Sequence, residues 1–262
     1  MTQTETFKAA HASAPTWQDA AAKVIVALGH LDASHRLGFL YVTDSYAHEF
    51  DDIAIFLRQT TGVPNWVGTI GMGVCAAGVE YFDEPAMSVL IAPIPDSAFR
   101  VFSGVRDNVS QVVADHGDWL KSVPGSLGVV HADPGNPGVV ERLEALSSAT
   151  NGFLVGGLTA SRGRMTQLAG DVTDGDISGV MLSLEDVPVQ AGLTQGCSPI
   201  GPVRTVTKSE QNLILELDGE PALAVLKNDV GDVLARDLRR IAGYIFAALP
   251  VKGSDTADYL VR

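Results

Sequence analysis

Hydrophobic positions along the chain alternate between a helical and an extended period. Trp17, Ala20, Ala21, Val24, Leu28 and Leu31 share one face of a helix predicted over 16–31. Thr16 stands where it can cap that helix, with Asp19 three residues on, and Gly29 with the polar run after Leu31 ends it. Leu37 to Val42 is a short apolar run, as a buried strand requires, stopping at Thr43-Asp44-Ser45. A second helix is predicted from about Ala47 to Gln59. Phe50, Ile53, Phe56 and Leu57 face inward, and Glu49, Asp51 and Asp52 lie near its positive N-terminal end. Gly62 to Asn65 is a return turn, and Trp66-Val67-Gly68 opens another strand. Val79 to Phe82 and Ala86 to Ile91, on either side of Asp83-Glu84-Pro85, read as an antiparallel hairpin.

After a linking region, Asp96 to Pro124, with a helix expected near Asp107 to Asp115, a similar order returns. Leu127 to Ala132 reads as a strand ending at Asp133. Asn136 and Pro137 suit the cap and first turn of a helix carrying Val140, Leu143 and Leu146. Asn151-Gly152 turns, Phe153 to Gly156 is extended, and Asp174-Gly175 leads into a strand over Ile177 to Leu184. Asp44 and Gly68 are spaced almost as Asp133 and Gly156 are. The expected fold is therefore α/β, an internally duplicated strand–helix–strand–hairpin unit with mixed sheets and outer helices. The first unit, with the N-terminal helix, covers 1–125, and the second covers 126–190.

Residues 191–262 are expected to add C-terminal strands and helices to the same body. Strands fall at Arg204 to Thr207 and Leu213 to Leu217, with Asp218-Gly219 as their turn. Pro221 opens one helix. Gly231 to Leu249 reads as a stronger one, stopped by Pro250.

Charge narrows the function classes. The net charge of −13 and the lack of any basic run argue against nucleic acid and against anionic membrane surfaces. Gln59 to Val79 is uncharged, but its glycines, Pro64 and Asn65 leave it too weakly apolar to span a bilayer. The first fifteen residues have neither a basic start nor an apolar core, so no secretory leader is expected. Cys75 and Cys197 are then reduced thiols, and the expected compartment is the cytoplasm.

Candidate chemistry is sparse. Gly71, Gly73 and Ala76 fit the dinucleotide pattern G-x-G-x-x-A, but the residues that follow are strand-like rather than helical, so the pattern is set aside. Neither Cys-x-x-Cys nor His-x-x-x-His occurs to hold zinc. Cys75 and Cys197 read first as small buried or half-buried thiols, and second as nucleophiles of a cysteine-dependent enzyme acting on a small molecule. A haem on a lone His or Cys is compatible with any spacing. Asp44 and Asp133 end matching strands, either as turn caps or as anchors lining a ligand cleft. His131 stands two residues before Asp133, where Val42 stands in the first unit. Gly68 with Thr69, and Gly156 and Gly157 with Thr159, have two readings: glycines kept for positive φ and close backbone packing, or bare backbone donors with hydroxyl anchors for a ligand held between the two units.

The segment Gln195-Gly196-Cys197-Ser198-Pro199-Ile200-Gly201-Pro202 is followed by Thr205-Val206-Thr207 and then by Glu216-Leu217-Asp218-Gly219-Glu220-Pro221-Ala222-Leu223. Together these resemble the FIST family of bacterial sensory domains. Val67-Gly68, Ala76 to Val79 and Met87 to Ile91 are similar to its N-terminal portion, and the likeness spans about Leu37 to Leu226. The family's Gly-Cys at the first glycine loop is Gly68-Thr69 here. The resemblance implies a small-ligand sensor for signal transduction, with amino acids as proposed ligands and some relatives as haem-binding nitric-oxide sensors. It adds Gln195 and Cys197 to the candidate site. A separate signalling partner follows from the lack of an output motif, and a homo-oligomer is the alternative use of the loops.

Overall fold

Lys8–Ser13 forms β1, followed by helix α1, Trp17–Leu28. Thr16 caps α1 through its side chain, which accepts from the Asp19 N–H at 3.3 Å, and Ala20, Ala21, Val24 and Leu28 are its buried face. Strand β2, Leu37–Thr43, passes through a 3-10 turn, Asp44–Glu49, into α2, Phe50–Thr61, and returns as β3, Asn65–Gly71. β2 and β3 are parallel, as a helical crossover requires. Next come a hairpin of β4, Gly73–Ala76, and β5, Val79–Phe82, and then β6, Ala86–Ala92, which lies antiparallel to both β1 and β2. These coordinates are a computed structural model and describe residues 6–106, 108–190, 192, 198–235, 244–250 and 259–261.

The second half repeats this wiring. Strand β7, Phe99–Val105, leads to α3, Ser110–Ser122, then β8, Ser126–Ala132, α4, Val139–Thr150, and β9, Gly152–Leu158. A hairpin of β10, Thr166–Ala169, and β11, Asp171–Asp174, precedes β12, Ile177–Ser183. The first sheet is ordered β1-β6-β2-β3-β10-β11 and the second β7-β12-β8-β9. The hairpin of the second half thus extends the sheet of the first.

The register explains two glycines. Leu40 pairs with Gly68 and Val130 with Gly156. A Cβ at either glycine would lie 1.8 Å from the carbonyl oxygen of its partner, so only glycine lets these parallel strands approach.

Burial gives four layers. Helices α1 and α2 cover one face of the first sheet, setting Val24 of α1 and Phe50, Ile53 and Leu57 of α2 in one cluster with Trp66 of β3, all fully buried. Helices α3 and α4 cover the far face of the second sheet through Val112 and Leu146. Between the sheets, Leu37, Phe39, Val67 and Ala169 of the first meet Phe99, Leu127, Val180 and Leu182 of the second. Alternation along each strand sends one set of side chains to the helices and the other to the opposite sheet.

Residues 192–262 form a separate compact unit. Its strands are β13, Val206–Glu210, β14, Leu213–Leu217, and β15, Glu220–Pro221, followed by α5, Ala222–Ala235. Asp218 and Gly219 both take positive φ at the predicted turn. Strands β16, Ala248–Pro250, and β17, Tyr259–Val261, pair antiparallel.

Four expectations need correction. Val79 to Phe82 does not pair with Ala86 to Ile91. It folds back on Gly73–Ala76 around Ala77 and Gly78, whose positive φ angles of 47° and 85° make the tight turn that Asp83-Glu84-Pro85 was expected to make. Asn136 does not cap α4. Gly138 does, and Asn136 is buried, its amide donating to the Gly175 carbonyl at 3.1 Å. Of the helix expected over Gly231 to Leu249, the start is the end of α5, which kinks at Gly231 (φ 78°) and runs to Ala235; residues 236–243 lie outside the described residues, and Ala248–Pro250 is extended rather than helical. The helix expected near Asp107 to Asp115 begins later, at Ser110, because Phe99–Val105 is a strand that the charged Arg100 and the glycine at 104 disguise.

Candidate functional site

At one end of the inter-sheet layer the apolar side chains give way to polar ones. Tyr41 on β2 and Thr69 on β3 are register neighbours, and Gln167 on β10 continues the row. Facing them, His131 on β8 is flanked by Gly157 on β9 and Ser178 on β12. The period-2 alternation that buries Phe39 and Val129 between the sheets places these residues in the same layer. The strand registers also make His131 the counterpart of Tyr41 rather than of Val42, since Leu40 and Val130 each sit opposite a glycine one position earlier.

The two sheets join here by hydrogen bonds. Tyr41 Oη and His131 Nε2 are 3.1 Å apart, and the rings meet edge to face. Thr69 Oγ1 and Thr159 Oγ1 are 2.7 Å apart. The Gln167 amide is assigned from its neighbours. With Nε2 donating to the Asp176 carbonyl at 3.2 Å, Oε1 accepts from Thr159 Oγ1 at 2.9 Å and from the Asp133 N–H at 3.2 Å. A chain of hydroxyl and amide groups therefore crosses from the first sheet to the end of β8.

Burial sets the electrostatics. His131 is only 2% exposed, and burial pushes its pKa down to about 4, so the imidazole is neutral at pH 7. Burial likewise raises the Tyr41 phenol to about 12. On the register-paired residues His131 and Ser178, two buried atoms, His131 Nδ1 and Ser178 Oγ, have no hydrogen-bond partner among the described residues. Beside them, a Cβ on Gly157 would meet nothing within 4 Å, and Gly157 is itself exposed. The seam is thus unsaturated inside, and the edge strand β9 sets an exposed glycine opposite His131.

The expected site residues separate. Thr69, His131, Gly157 and Thr159 come together in the seam. Gly68 and Gly156 lie one position away and serve strand approach. Asp44 is engaged elsewhere. Its carboxylate accepts from Arg162 Nε at 2.8 Å and from the Arg162 N–H at 3.0 Å, and its side chain is 7% exposed. Asp133 contributes its backbone N–H to the seam, while its carboxylate accepts from the Gly135 N–H at 2.7 Å and lines a surface depression with Arg106 and Asn136. Cys75 is on the β4–β5 hairpin and exposed, against the expectation of a buried or half-buried thiol. Gln195 and Cys197 lie outside the described residues.

Tyr41, Gln167 and Ser178 escape sequence reasoning. Each is an ordinary polar residue in a strand, and only the cross-sheet pairing gathers them. Haem, implied by the family resemblance, does not fit at His131: the residue is 2% exposed, bonded at Nε2 to the Tyr41 hydroxyl and paired in register with Ser178, not set in a wide apolar slot. Among the described residues, no group of three or more His, Cys, Asp or Glu side chains gathers to hold a metal ion, and no helix is long and apolar enough to cross a membrane.

The FIST N domain family model matches residues 36–220, well over half of the chain, and takes in both strands that carry Tyr41 and His131. No curated protein matches the chain.

Proposed function

The chain belongs to the FIST N domain family, a family of sensory domains, and on that premise we propose that it binds a small polar molecule in the seam around His131. The observation that carries this reading is the two buried atoms without partners, His131 Nδ1 and Ser178 Oγ, on residues paired in register between β8 and β12. An unpaired buried polar group costs about 1–3 kcal/mol, and a guest that hydrogen-bonds to both recovers that cost. Tyr41, Thr69, His131, Thr159, Gln167 and Ser178 carry no charge at neutral pH. A neutral polar ligand suits them better than an anion or a zwitterion, because burying an unpaired charge is costly.

Because the seam is where the sheets meet, a bound molecule changes how the two sheets sit against each other, which is a change a separate signalling partner can read. The setting we assign is the cytoplasm. The test is thermal shift with the amino acids and a set of small neutral and anionic compounds, on wild type and on His131→Gln. At about 100 times Kd a ligand adds about 2.7 kcal/mol. That raises Tm by several degrees in wild type and by much less in the variant. If no compound shifts wild type at millimolar concentration, or if the variant responds equally, the seam holds water and not a ligand.

A further inference from the structure

Four strands form the outer edges of the two sheets, and three carry charge: Lys8 in β1, Arg100 in β7, and Asp171 and Asp174 in β11. The fourth, β9, reads Gly-Phe-Leu-Val-Gly-Gly-Leu, and no charged residue occurs anywhere from Ser147 to Ser161. Charges on an edge strand keep another strand from adding to it, and β9 has no such guard. It also exposes large apolar groups, Phe153 at 61% and Leu158 at 54%.

The order of sizes in β9 says what pairs with it. Turned antiparallel to itself about Val155, the strand sets Phe153 opposite Gly157, Leu154 opposite Gly156 and Leu158 opposite Gly152, while the two Val155 residues face each other. Each bulky residue other than the central valine meets a glycine. Phe153 pairs in register with Leu127, whose side chain lies between the sheets, so its ring points to the same side as Gly157. The space beyond Gly157 is open, and an aromatic ring laid over a glycine of the adjacent strand is a favourable cross-strand pair.

We propose that β9 pairs antiparallel with β9 of a second copy of this chain, centred on Val155, so that the second sheets of the two copies become one continuous sheet. Phe153 of each copy then lies over Gly157 of the other and closes the approach to His131, so each seam is completed by the other chain. The pairing does not depend on whether the seam holds a ligand. With −13 charges on each chain, the copies repel at long range, and salt screens this.

The test uses the full chain in analytical ultracentrifugation. Wild type is expected at twice its 27.5 kDa mass, with tighter association at about 0.5 M than at about 0.05 M salt. Phe153→Lys is expected to weaken the dimer at least ~10-fold. In a Cys75→Ala/Cys197→Ala background, Val155→Cys is expected to form an intermolecular disulfide on mild oxidation. Residues opposite one another in an antiparallel pair have Cα atoms about 4.5–5.5 Å apart, within reach of that bond. A wild-type monomer at every concentration, including one in which another part of the chain covers β9, overturns the proposal. So does a dimer that Val155→Cys does not cross-link, or one that a folded Phe153→Lys leaves at full strength.

Discussion

His131 shows how much one residue's surroundings decide. In the folded chain burial holds its pKa near 4, whereas an unfolded imidazole takes its proton near 6.5. As pH falls from about 6.5, the unfolded chain binds that proton first, so stability declines until about pH 4 and this contribution is level on either side. The full span is about 3 kcal/mol. Comparing urea unfolding of wild type and His131→Gln isolates it from the carboxylates: wild type is expected to lose ~2–3 kcal/mol more than the variant between pH 7 and 4.5. Neighbouring glycines make a second contrast. Gly156→Ala puts a methyl 1.8 Å from the Val130 carbonyl oxygen and is expected to cost at least ~3 kcal/mol or to prevent folding. Gly157→Ala meets nothing and is expected to stay within ~1 kcal/mol of wild type.

Among the elements, the β10–β11 hairpin matters most, because it carries the second half onto the sheet of the first. Three arginines secure it and the loop before it. Arg162 holds Asp44, Arg164 bridges Asp51 and Asp174, and Arg58 on α2 donates to the Gly170 carbonyl. These clasps differ in weight. Arg162→Ala removes the guanidinium from a carboxylate whose side chain is 7% exposed, leaving it the backbone N–H of residue 162, and is expected to cost about 2 kcal/mol. Arg164→Ala breaks pairs whose carboxylates are 49% and 57% exposed, and is expected to cost under ~1 kcal/mol. Chemical denaturation of both variants reads the difference. At this scale much was legible in sequence: helix α1 with its Thr16 cap, strand β2 as an apolar run, strand β8 over Leu127 to Ala132, and the Asp218-Gly219 turn. What hid was strand content without an apolar run. Strand β1, Lys-Ala-Ala-His-Ala-Ser, is mostly alanine and polar residues, and its place comes from pairing with β6. The β4–β5 hairpin turns on Ala77-Gly78, which lacks the Asn or Asp that marks such turns.

For the molecule as a whole, the two halves meet through a layer that is apolar along most of its extent and polar at one end. Sequence spacing pointed to Thr69, His131, Gly157 and Thr159 and not to Tyr41, Gln167 or Ser178, because cross-sheet neighbours leave no periodic trace in either strand. It also overvalued Asp44, since nothing local says that a distant arginine claims it. The central claim is that the unpartnered imidazole nitrogen inside this layer belongs to a ligand site. Its most direct test is 15N-histidine NMR of the chain with and without the compound that raises Tm most. The account predicts that the His131 Nδ1 resonance moves on binding, with Nε2 still bonded to Tyr41. A compound that binds and leaves both His131 nitrogens unshifted contradicts it.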